Sequence, residues 1–213
     1  MVDPPTPWLL VPVKPLHEGK RRLSGVLTEA QRLTLNEHFL CRTLMVARDF
    51  PGLARTLVVS DGDDTLRLAR SFGVQTLRTS AQELNEALVD GCRAVVAPII
   101  ILPVDLPFIQ ASDIQELAAF GAQHEVVICP DRHMMGTNGL FLGKRVALQF
   151  RFGLDSFRLH QLEAKRCGIT PHIFLNAHIT MDIDLPADLM VMTENAHAYN
   201  AQPSGVRVDG PTL

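Results

Sequence analysis

Apolar runs of strand length alternate with segments of helical spacing along the first two thirds of the chain. The apolar runs predict strands over residues 8–13, 55–60, 74–78, 94–104 and 125–129. The segments between them predict helices over residues 28–49, 65–72, 80–90 and 112–120. This alternation favours an α/β fold, in which helices cover both faces of a mostly parallel sheet.

Three of these helices begin with a capping box, a Ser or Thr followed three residues later by Gln or Glu. The boxes start at Thr28, Ser80 and Ser112. The 94–104 run is the most apolar stretch, and we expect it to be the central strand, buried on both faces. The less regular second half predicts strands over residues 138–142 and 172–183 and helices over residues 155–167 and 186–192. We predict a single domain over residues 1–195, followed by a loose tail over residues 196–213.

Composition excludes several classes of protein. Of the 213 residues, 46% are apolar and 20% are charged, which excludes a disordered chain. The net charge of -3 argues against a general binder of nucleic acids or anionic membranes. No apolar run reaches the roughly 18 residues of a membrane span, and the first residues lack the basic character of a signal peptide. Four cysteines without a C-x-x-C pair predict reduced thiols in a cytoplasmic protein.

A group of cations follows the first predicted strand. Lys14, Lys20, Arg21 and Arg22 lie within nine positions. In parallel sheets ligands bind beyond the carboxyl ends of the strands, where such cations suit a polyphosphate. Spacing alone leaves a solvated basic loop as the alternative, because the chain has neither a G-x-G-x-x-G nor a Walker A motif.

Carboxylates follow two other predicted strands. Asp105 lies between Pro103 and Pro107 at the end of the central strand, where it is a candidate Mg²⁺ ligand. Asp182 and Asp184 end the last predicted strand, and a period of two places them on one face. Together with Asp105 they could complete a metal site. The alternatives are a turn cap for Asp105, and one exposed carboxylate and one helix cap for the pair.

Two further segments carry polar groups toward the same edge. Residues 131–138 form a polar loop that contains glycine, and residues 150–157 lead into a predicted helix. Gly153 and Ser156, near the start of that helix, could offer backbone N–H groups and a hydroxyl to an anion. A plain helix cap is the alternative for Ser156. The histidines show no metal-binding spacing, and no Ser-His-Asp arrangement is identifiable.

Taken together, these segments resemble the CofC/FbiD family of guanylyltransferases, which makes the phospho-acid precursor of the deazaflavin coenzyme F-420. The resemblance covers almost all of residues 8–190. The matching motifs are V-P-V-K-P-L…K-x-R-L at 11–23, L-N-x-A-L at 84–88, L-P-x-D-L-P at 102–107, P-D-R-H…G-T-N-x-L at 130–140, F-R-F-G-x-x-S-F-x-x-H at 150–160 and D-I-D-x-P-x-D-L at 182–189. The 150–160 motif and the G-T-N step are the most specific.

The resemblance implies a nucleotide-diphospho-sugar-transferase-like (MobA-like) fold and a reaction that joins GTP to a three-carbon phospho-acid, with release of pyrophosphate. The acceptor in relatives is 2-phospho-L-lactate, phosphoenolpyruvate or 3-phospho-D-glycerate. It further implies an acceptor site, a nucleotide site, phosphate-binding cations with a catalytic role, and an Mg²⁺ site. The acceptor site would comprise Thr137, Asn138, Gly153, Ser156 and Arg132, and the nucleotide site Pro12, Lys14, Asn85 and Pro103. The catalytic cations would be Lys14, Lys20 and Arg22, and the Mg²⁺ ligands Asp105, Asp182 and Asp184.

Departures from the family pattern leave the acceptor open. Glu83 stands where glycine is common, Met134 and Met135 fill a loop that is often smaller, and Gly139 replaces an alanine. Candidate specificity contacts are Cys92 and His133, with a buried thiol and a loop histidine as alternatives. Other readings are a nucleotidyltransferase with a molybdopterin or sugar-phosphate acceptor, and a non-catalytic GTP-binding regulator. The implied partner is a transferase that acts on the deazaflavin precursor; a homodimer is left open.

Overall fold

A seven-stranded sheet forms the centre of the computed structural model, which describes residues 5–143 and 146–192. Its strands are β1 (Trp8–Pro12), β2 (Thr56–Ser60), β3 (Gln75–Arg78), β4 (Ile99–Ile101), β5 (Val126–Pro130), β6 (Thr137–Leu142) and β7 (His172–Ile173). They lie in the order β3-β2-β1-β4-β6-β5-β7. Among the described strands, β6 alone runs antiparallel to its neighbours. The other pairs are parallel, so the prediction of a mostly parallel sheet is confirmed.

Helices cover both faces of this sheet. They are α1 (Glu29–Asp49), α2 (Asp63–Ser71), α3 (Leu84–Ala94), α4 (Ala111–Gly121) and α5 (Ser156–Arg166), and residues 186–192 are also helical. Helices α1, α2 and α4 pack on the face that carries Leu9 and Val11 of β1. Helices α3 and α5 pack on the opposite face, which carries Leu10. Consecutive β1 side chains therefore fill two separate cores, as strand alternation requires.

Only one of the three predicted capping boxes forms. The Thr28 box is confirmed by two hydrogen bonds between Thr28 and Gln31, of 3.2 and 2.9 Å. The other two predictions, at Ser80 and Ser112, are wrong. Helix α3 begins without a side-chain cap. Helix α4 is capped instead by Asp113, which accepts a hydrogen bond from the backbone N–H three residues earlier at 2.7 Å.

Two predicted strands are much shorter than expected. Residues 94–104 contribute only β4, because Pro98 and Pro103 lack the N–H groups that a central strand needs. Residues 172–183 contribute only β7. Beyond β7 the side chain of Asn176 accepts two backbone N–H groups at 2.9 and 3.1 Å and holds a turn. Asp182 and Asp184 therefore do not lie on a strand, and the argument that placed them on one face is wrong.

None of the helices in the described ranges is both long enough and apolar enough to cross a membrane. The tail predicted over residues 196–213, and the domain boundary predicted before it, lie outside the described residues.

Gly91 is a point where α3 comes close to the sheet. A Cβ atom on this residue would lie 2.7 Å from Leu10 Cδ1 and 2.9 Å from Val59 Cγ2. Alanine is favoured over glycine in a helix by about 1 kcal/mol, but overpacking a core costs about 1–3 kcal/mol. We expect Gly91→Ala to lower the free energy of unfolding in urea by about 1–2 kcal/mol. Gly25→Ala is the control, because its Cβ would meet nothing within 4 Å; equal losses in both variants would contradict this expectation.

Candidate active site

A cavity of about 530 Å³ opens at the carboxyl ends of β1, β2, β3 and β4. Seven of the residues predicted from the sequence line it: Pro12, Lys14, Lys20, Arg22, Pro103, Asp105 and Asp184. Polar residues that the sequence did not single out also line it, among them Ser60, Asp61 and Thr79. A second cavity, of about 710 Å³, is lined mainly by proline, alanine and phenylalanine side chains and by none of the predicted site residues. The chemistry is therefore concentrated in the first cavity.

The ammonium group of Lys20 lies between two of the predicted metal ligands. Lys20 Nζ is 2.5 Å from Asp105 Oδ2 and 2.8 Å from Asp184 Oδ1. Burial by itself lowers the pKa of Lys20, but attraction from the two carboxylates outweighs it and raises the pKa above its ordinary value. The lysine backbone has a φ of 55°, a left-handed conformation that is uncommon outside glycine. Lys20 thus bridges two carboxylates in this structure, and its role in binding phosphate stays a prediction.

One oxygen of Asp105 has no hydrogen-bond partner. Asp105 Oδ1 is buried, and no donor reaches it. A buried carboxylate oxygen without a partner is costly unless a cation or a ligand contacts it. Within the described residues, no three His, Cys, Asp or Glu side chains form a ready-made metal cage. The unpartnered oxygen and the carboxylates around it nevertheless fit a hard divalent cation, because such ions prefer oxygen ligands.

Asp182 adds a third carboxylate beside Asp105 and Asp184. Burial raises its pKa, a hydrogen bond from Asn138 partly offsets that change, and repulsion from Asp105 and Asp184 raises the pKa further. Burial is the largest cause of this rise, and repulsion between like charges that share a site adds to it. The three carboxylates are therefore close enough to interact, although Asp105 follows β4 and the other two lie on the segment before the last helix.

Arg132 and Asp188 hold the segment that carries Asp184. The side chain of Asp188 is almost fully buried and accepts the backbone N–H groups of Asp184 and Leu185 at 2.8 and 2.7 Å. Its other oxygen accepts a hydrogen bond from the guanidinium of Arg132. Arg132, predicted to bind the acceptor, is thus engaged with a carboxylate, and its acceptor role stays a prediction. Asp188 belongs to the 182–189 motif, but no role was predicted for it from the sequence, although its place in the first turn of the predicted 186–192 helix signals a cap.

Strand β6 brings the predicted acceptor residues to the carboxylates. Because β6 is antiparallel to β4, its first residues, rather than its last, reach the carboxyl end of β4. Thr137 and Asn138 are those first residues. Asn138 Nδ2 donates to the carbonyl oxygen of Ile179 at 3.0 Å and to Asp182 Oδ1 at 3.1 Å. Strand β6, which carries the residues predicted to bind the acceptor substrate, therefore starts beside the candidate metal ligand Asp182.

His160 connects Thr137 to the loop before Gly153. Its Nδ1 lies 2.9 Å from Thr137 Oγ1, and its Nε2 lies 3.0 Å from the backbone nitrogen of Arg151. The side chain is fully buried, and burial, with repulsion from Arg151, lowers the pKa of His160 to about 4. The spacing of the histidines in the sequence indicates neither a metal site nor a catalytic triad at His160. The only sequence signal was the place of His160 in the 150–160 motif.

Two more side chains fix the same loop. Glu163 Oε1 accepts the backbone N–H of Gln149 at 3.0 Å. Asn85 forms two hydrogen bonds with Phe152, accepting its N–H at 2.9 Å and donating to its carbonyl oxygen at 3.1 Å. The amide of Asn85 is thereby occupied, so its nucleotide contact stays a prediction and the structure adds a role in holding the loop.

Gly153 and Ser156 lie where this loop turns into α5. Gly153 has a φ of 127°, a conformation that other residues rarely adopt. The backbone N–H of Ser156 donates to the carbonyl oxygen of Gly153 at 3.2 Å, and Ser156 is the first residue of the helix. The loop thus presents the start of α5 on the same side of the sheet as Thr137.

The two candidate specificity contacts differ in their surroundings. Cys92 packs against the apolar core between α3 and the sheet, and burial raises the pKa of its thiol to about 12. His133 is exposed, and its Nε2 lies 3.1 Å from Arg132 Nε. The glycine at position 139 has a packing reason, since a Cβ there would lie 3.0 Å from Cys129 Sγ.

Comparison with known proteins identifies the family. The family model described as "Guanylyl transferase CofC like" matches residues 8–202. The chain belongs to this family. It is 37% identical over 187 residues to the phosphoenolpyruvate guanylyltransferase of Rubrobacter xylanophilus, covering 85% of this chain and 91% of that protein. It is 30% identical over 180 residues to the 2-phospho-L-lactate guanylyltransferase of Methanocaldococcus infernus, covering 84% of this chain and 81% of that protein.

The fold agrees with this membership. A protein from Desulfovibrio desulfuricans described as a nucleotide-diphospho-sugar transferase superposes with a TM-score of 0.71 at 14% identity, covering 92% of this chain and 88% of that chain. The predicted fold class is confirmed, and so is the prediction of a nucleotidyltransferase of the guanylyltransferase type. The roles of individual site residues in this CofC-like chain stay predictions.

Proposed function

We propose that the chain transfers the guanylyl group of GTP to a three-carbon phospho-acid and releases pyrophosphate. The observation that carries this proposal is the hydrogen bond from Asn138 to Asp182, which joins the two halves of the site. On one side of it lies the cavity with its cations and carboxylates. On the other lie Thr137 and the loop that ends at Gly153; these residues do not line that cavity, and we assign the acceptor's anionic group to them. A nucleotide and a small phosphorylated acid could therefore meet at this junction.

The chemistry asks for positioning more than for proton transfer. An oxygen of the acceptor phosphate attacks the α-phosphorus of GTP, and the bond from that phosphorus to the β-phosphate oxygen breaks. A phosphate monoester is largely ionised at pH 7 because its second pKa is about 6. No general base is needed, in keeping with a His160 ring whose lowered pKa of about 4 makes it a weak base and whose Nε2 already accepts the N–H of Arg151. The task of the protein is to hold two anions in line and to offset their repulsion.

Each group of residues has a part in this task. Lys14 and Arg22 contact the triphosphate from the rim of the cavity, and Lys20 contributes its charge from within. Asp105, Asp182 and Asp184 would hold the metal ion, for which Mg²⁺ is our choice. When bound, the ion supplies positive charge that stabilises the phosphates of GTP and the departing pyrophosphate. Thr137, Gly153 and Ser156 bind the acceptor.

The acceptor is phosphoenolpyruvate, 2-phospho-L-lactate or 3-phospho-D-glycerate. Relatives with two of these names match the chain at 37% and 30% identity, a difference too small to choose between them. The product would pass to a transferase that acts on the deazaflavin precursor of coenzyme F-420. A cytoplasmic location belongs to the same proposal.

Pyrophosphate release tests the proposal directly. The purified chain is incubated with GTP, Mg²⁺ and each of the three acceptors in parallel, and the reaction is coupled to the next transferase with its deazaflavin substrate. We expect release with at least one acceptor, and a coupled product from the same reaction. A folded protein that binds GTP but releases no pyrophosphate with any of the three would refute the proposal and favour a GTP-binding regulator. Release with only a sugar phosphate or a molybdopterin would favour another nucleotidyltransferase.

A further inference from the structure

The two ring nitrogens of His160 have different partners, and one of these partners has a fixed role. The backbone N–H of Arg151 can only donate, and it points at His160 Nε2 from 3.0 Å. A nitrogen that accepts a hydrogen bond carries no proton. The proton of the neutral ring must therefore be on Nδ1.

This tautomer determines what the hydroxyl of Thr137 can do. His160 Nδ1 lies 2.9 Å from Thr137 Oγ1, so with its proton on Nδ1 the histidine donates and the threonine oxygen accepts. The threonine hydroxyl then keeps its own proton free for another partner. A carboxylate or phosphate oxygen, which can only accept, is a suitable partner for this proton.

We propose that His160 is a positioning residue that makes the Thr137 hydroxyl a hydrogen-bond donor to the carboxylate or phosphate of the acceptor. The proposal rests on the proposed function and deepens it, because it names the feature of the acceptor that this end of the site recognises. An acceptor without an anionic group at this position would leave the oriented hydroxyl without a partner.

The surroundings of the ring keep it in this state. The side chain is fully buried, and Arg151 and Glu163 are the charged groups that act on it. Glu163 is engaged by Arg166 and by the backbone of Gln149, so it does not form an ion pair with the ring. The ring of Phe152 packs edge-on at 4.7 Å between centroids. Burial and Arg151 lower the pKa of His160 to about 4, which keeps the ring neutral at physiological pH.

A double-mutant cycle tests whether His160 acts through Thr137. The variants are Thr137→Val, His160→Phe and the double variant, and the KM values for acceptor and for GTP are measured separately. We expect each single variant to raise the acceptor KM by about tenfold and to leave the GTP KM within about twofold. The double variant should be no worse than the worse single variant, because both remove the same hydrogen bond to the acceptor.

Two further measurements separate positioning from general damage to the fold. His160→Gln keeps a side-chain acceptor and donor, and we expect it to recover part of the acceptor affinity lost in His160→Phe. His172→Phe is the matched control, since this histidine stacks on His124 at the β7 edge, outside the site. In the free protein, two-bond ¹⁵N–¹H correlations should show the proton of His160 on Nδ1. This last measurement does not depend on any substrate.

The outcomes distinguish this proposal from the one on which it rests. Pyrophosphate release by the wild type, together with multiplicative effects in the double variant, would overturn the role of His160 alone. A proton on Nε2 would also overturn it. An unchanged acceptor KM in Thr137→Val would show that the acceptor binds elsewhere, and would overturn this proposal while leaving guanylyl transfer intact. Absence of transfer to all three acceptors would refute the proposed function, and this proposal with it.

Discussion

Asp105→Asn is expected to lower kcat for guanylyl transfer by about 10³-fold while the protein stays folded. Asparagine has the shape of aspartate but no negative charge, and its amide nitrogen cannot ligate a cation. The substitution therefore removes the negative charge of Asp105, whose Oδ1 is buried without a hydrogen-bond partner. Lys20 keeps a counter-ion in this variant, because Asp184 Oδ1 lies 2.8 Å from its ammonium group. The loss should thus appear in catalysis rather than in folding.

The measurement is pyrophosphate release as a function of Mg²⁺ concentration, with GTP binding measured on the same samples. We expect the variant to need more Mg²⁺ and to stay far below the wild-type kcat at saturation. Asp49→Asn is the matched control, since Asp49 is an exposed aspartate at the end of α1, distant in sequence and outside the cavity. Wild-type turnover in Asp105→Asn would remove the metal-binding role of Asp105, and an unfolded variant would be recognised by circular dichroism and replaced by Asp105→Glu.

The ends of the parallel strands could be predicted from the sequence because apolar runs and the residues after them are local features. This reasoning placed Lys14, Lys20 and Asp105 in one cavity before any contact was known. It also placed the 131–138 loop, and with it Thr137, at this edge, but it did not show that the chain reverses there. Strand β6 is antiparallel, so Thr137 is the first residue of a strand at this edge. Direction within a sheet depends on pairing between distant segments, which the apolar pattern does not record.

The hydrogen-bond partners of the buried polar residues around the site could not be predicted from residue spacing. His160 gains its meaning from Thr137, 23 positions away, and from a backbone N–H of Arg151. Asn85 is occupied by Phe152, 67 positions away. Such contacts produce no periodic pattern in the sequence, because each depends on how two distant segments meet in the fold. The family motifs contain His160 and Asn85 but do not show which residues they contact.

For Asp182 and Asp184 the sequence predicted a shared site, but by a structural argument that is wrong. A strand over residues 172–183 would have placed Asp182 and Asp184 on one face by alternation. The chain turns instead, so Asp184 contacts Lys20 while Asp182 contacts Asn138. The two still share one site, for a reason that alternation does not provide: Asp188 accepts the backbone N–H of Asp184 and fixes that turn.

Lys20→Met is expected to destabilise the metal-free protein and to make its stability depend strongly on magnesium. Methionine matches the length of lysine but leaves Asp105 and Asp184 without the ammonium group that now lies 2.5 and 2.8 Å from them. Removing one partner of a buried ion pair costs about 3–5 kcal/mol. Because Asp184 remains partly exposed, we expect a smaller loss of about 2 kcal/mol in the free energy of unfolding. Activity should also fall, by about 100-fold, since one cation of the phosphate site is gone.

The measurement is urea denaturation of both proteins, once with EDTA and once with saturating Mg²⁺. A metal ion that binds only the folded state stabilises it by an amount that rises with the logarithm of the ion concentration divided by its Kd. Two carboxylates without the lysine should bind the ion more tightly, so Mg²⁺ should recover more stability in Lys20→Met than in the wild type. Arg22→Met is the matched control, because its 3.3 Å contact with Asp184 is exposed and worth at most about 1 kcal/mol. A Lys20→Met protein as stable as the wild type in EDTA, and insensitive to Mg²⁺, would show that these carboxylates do not form a cation site.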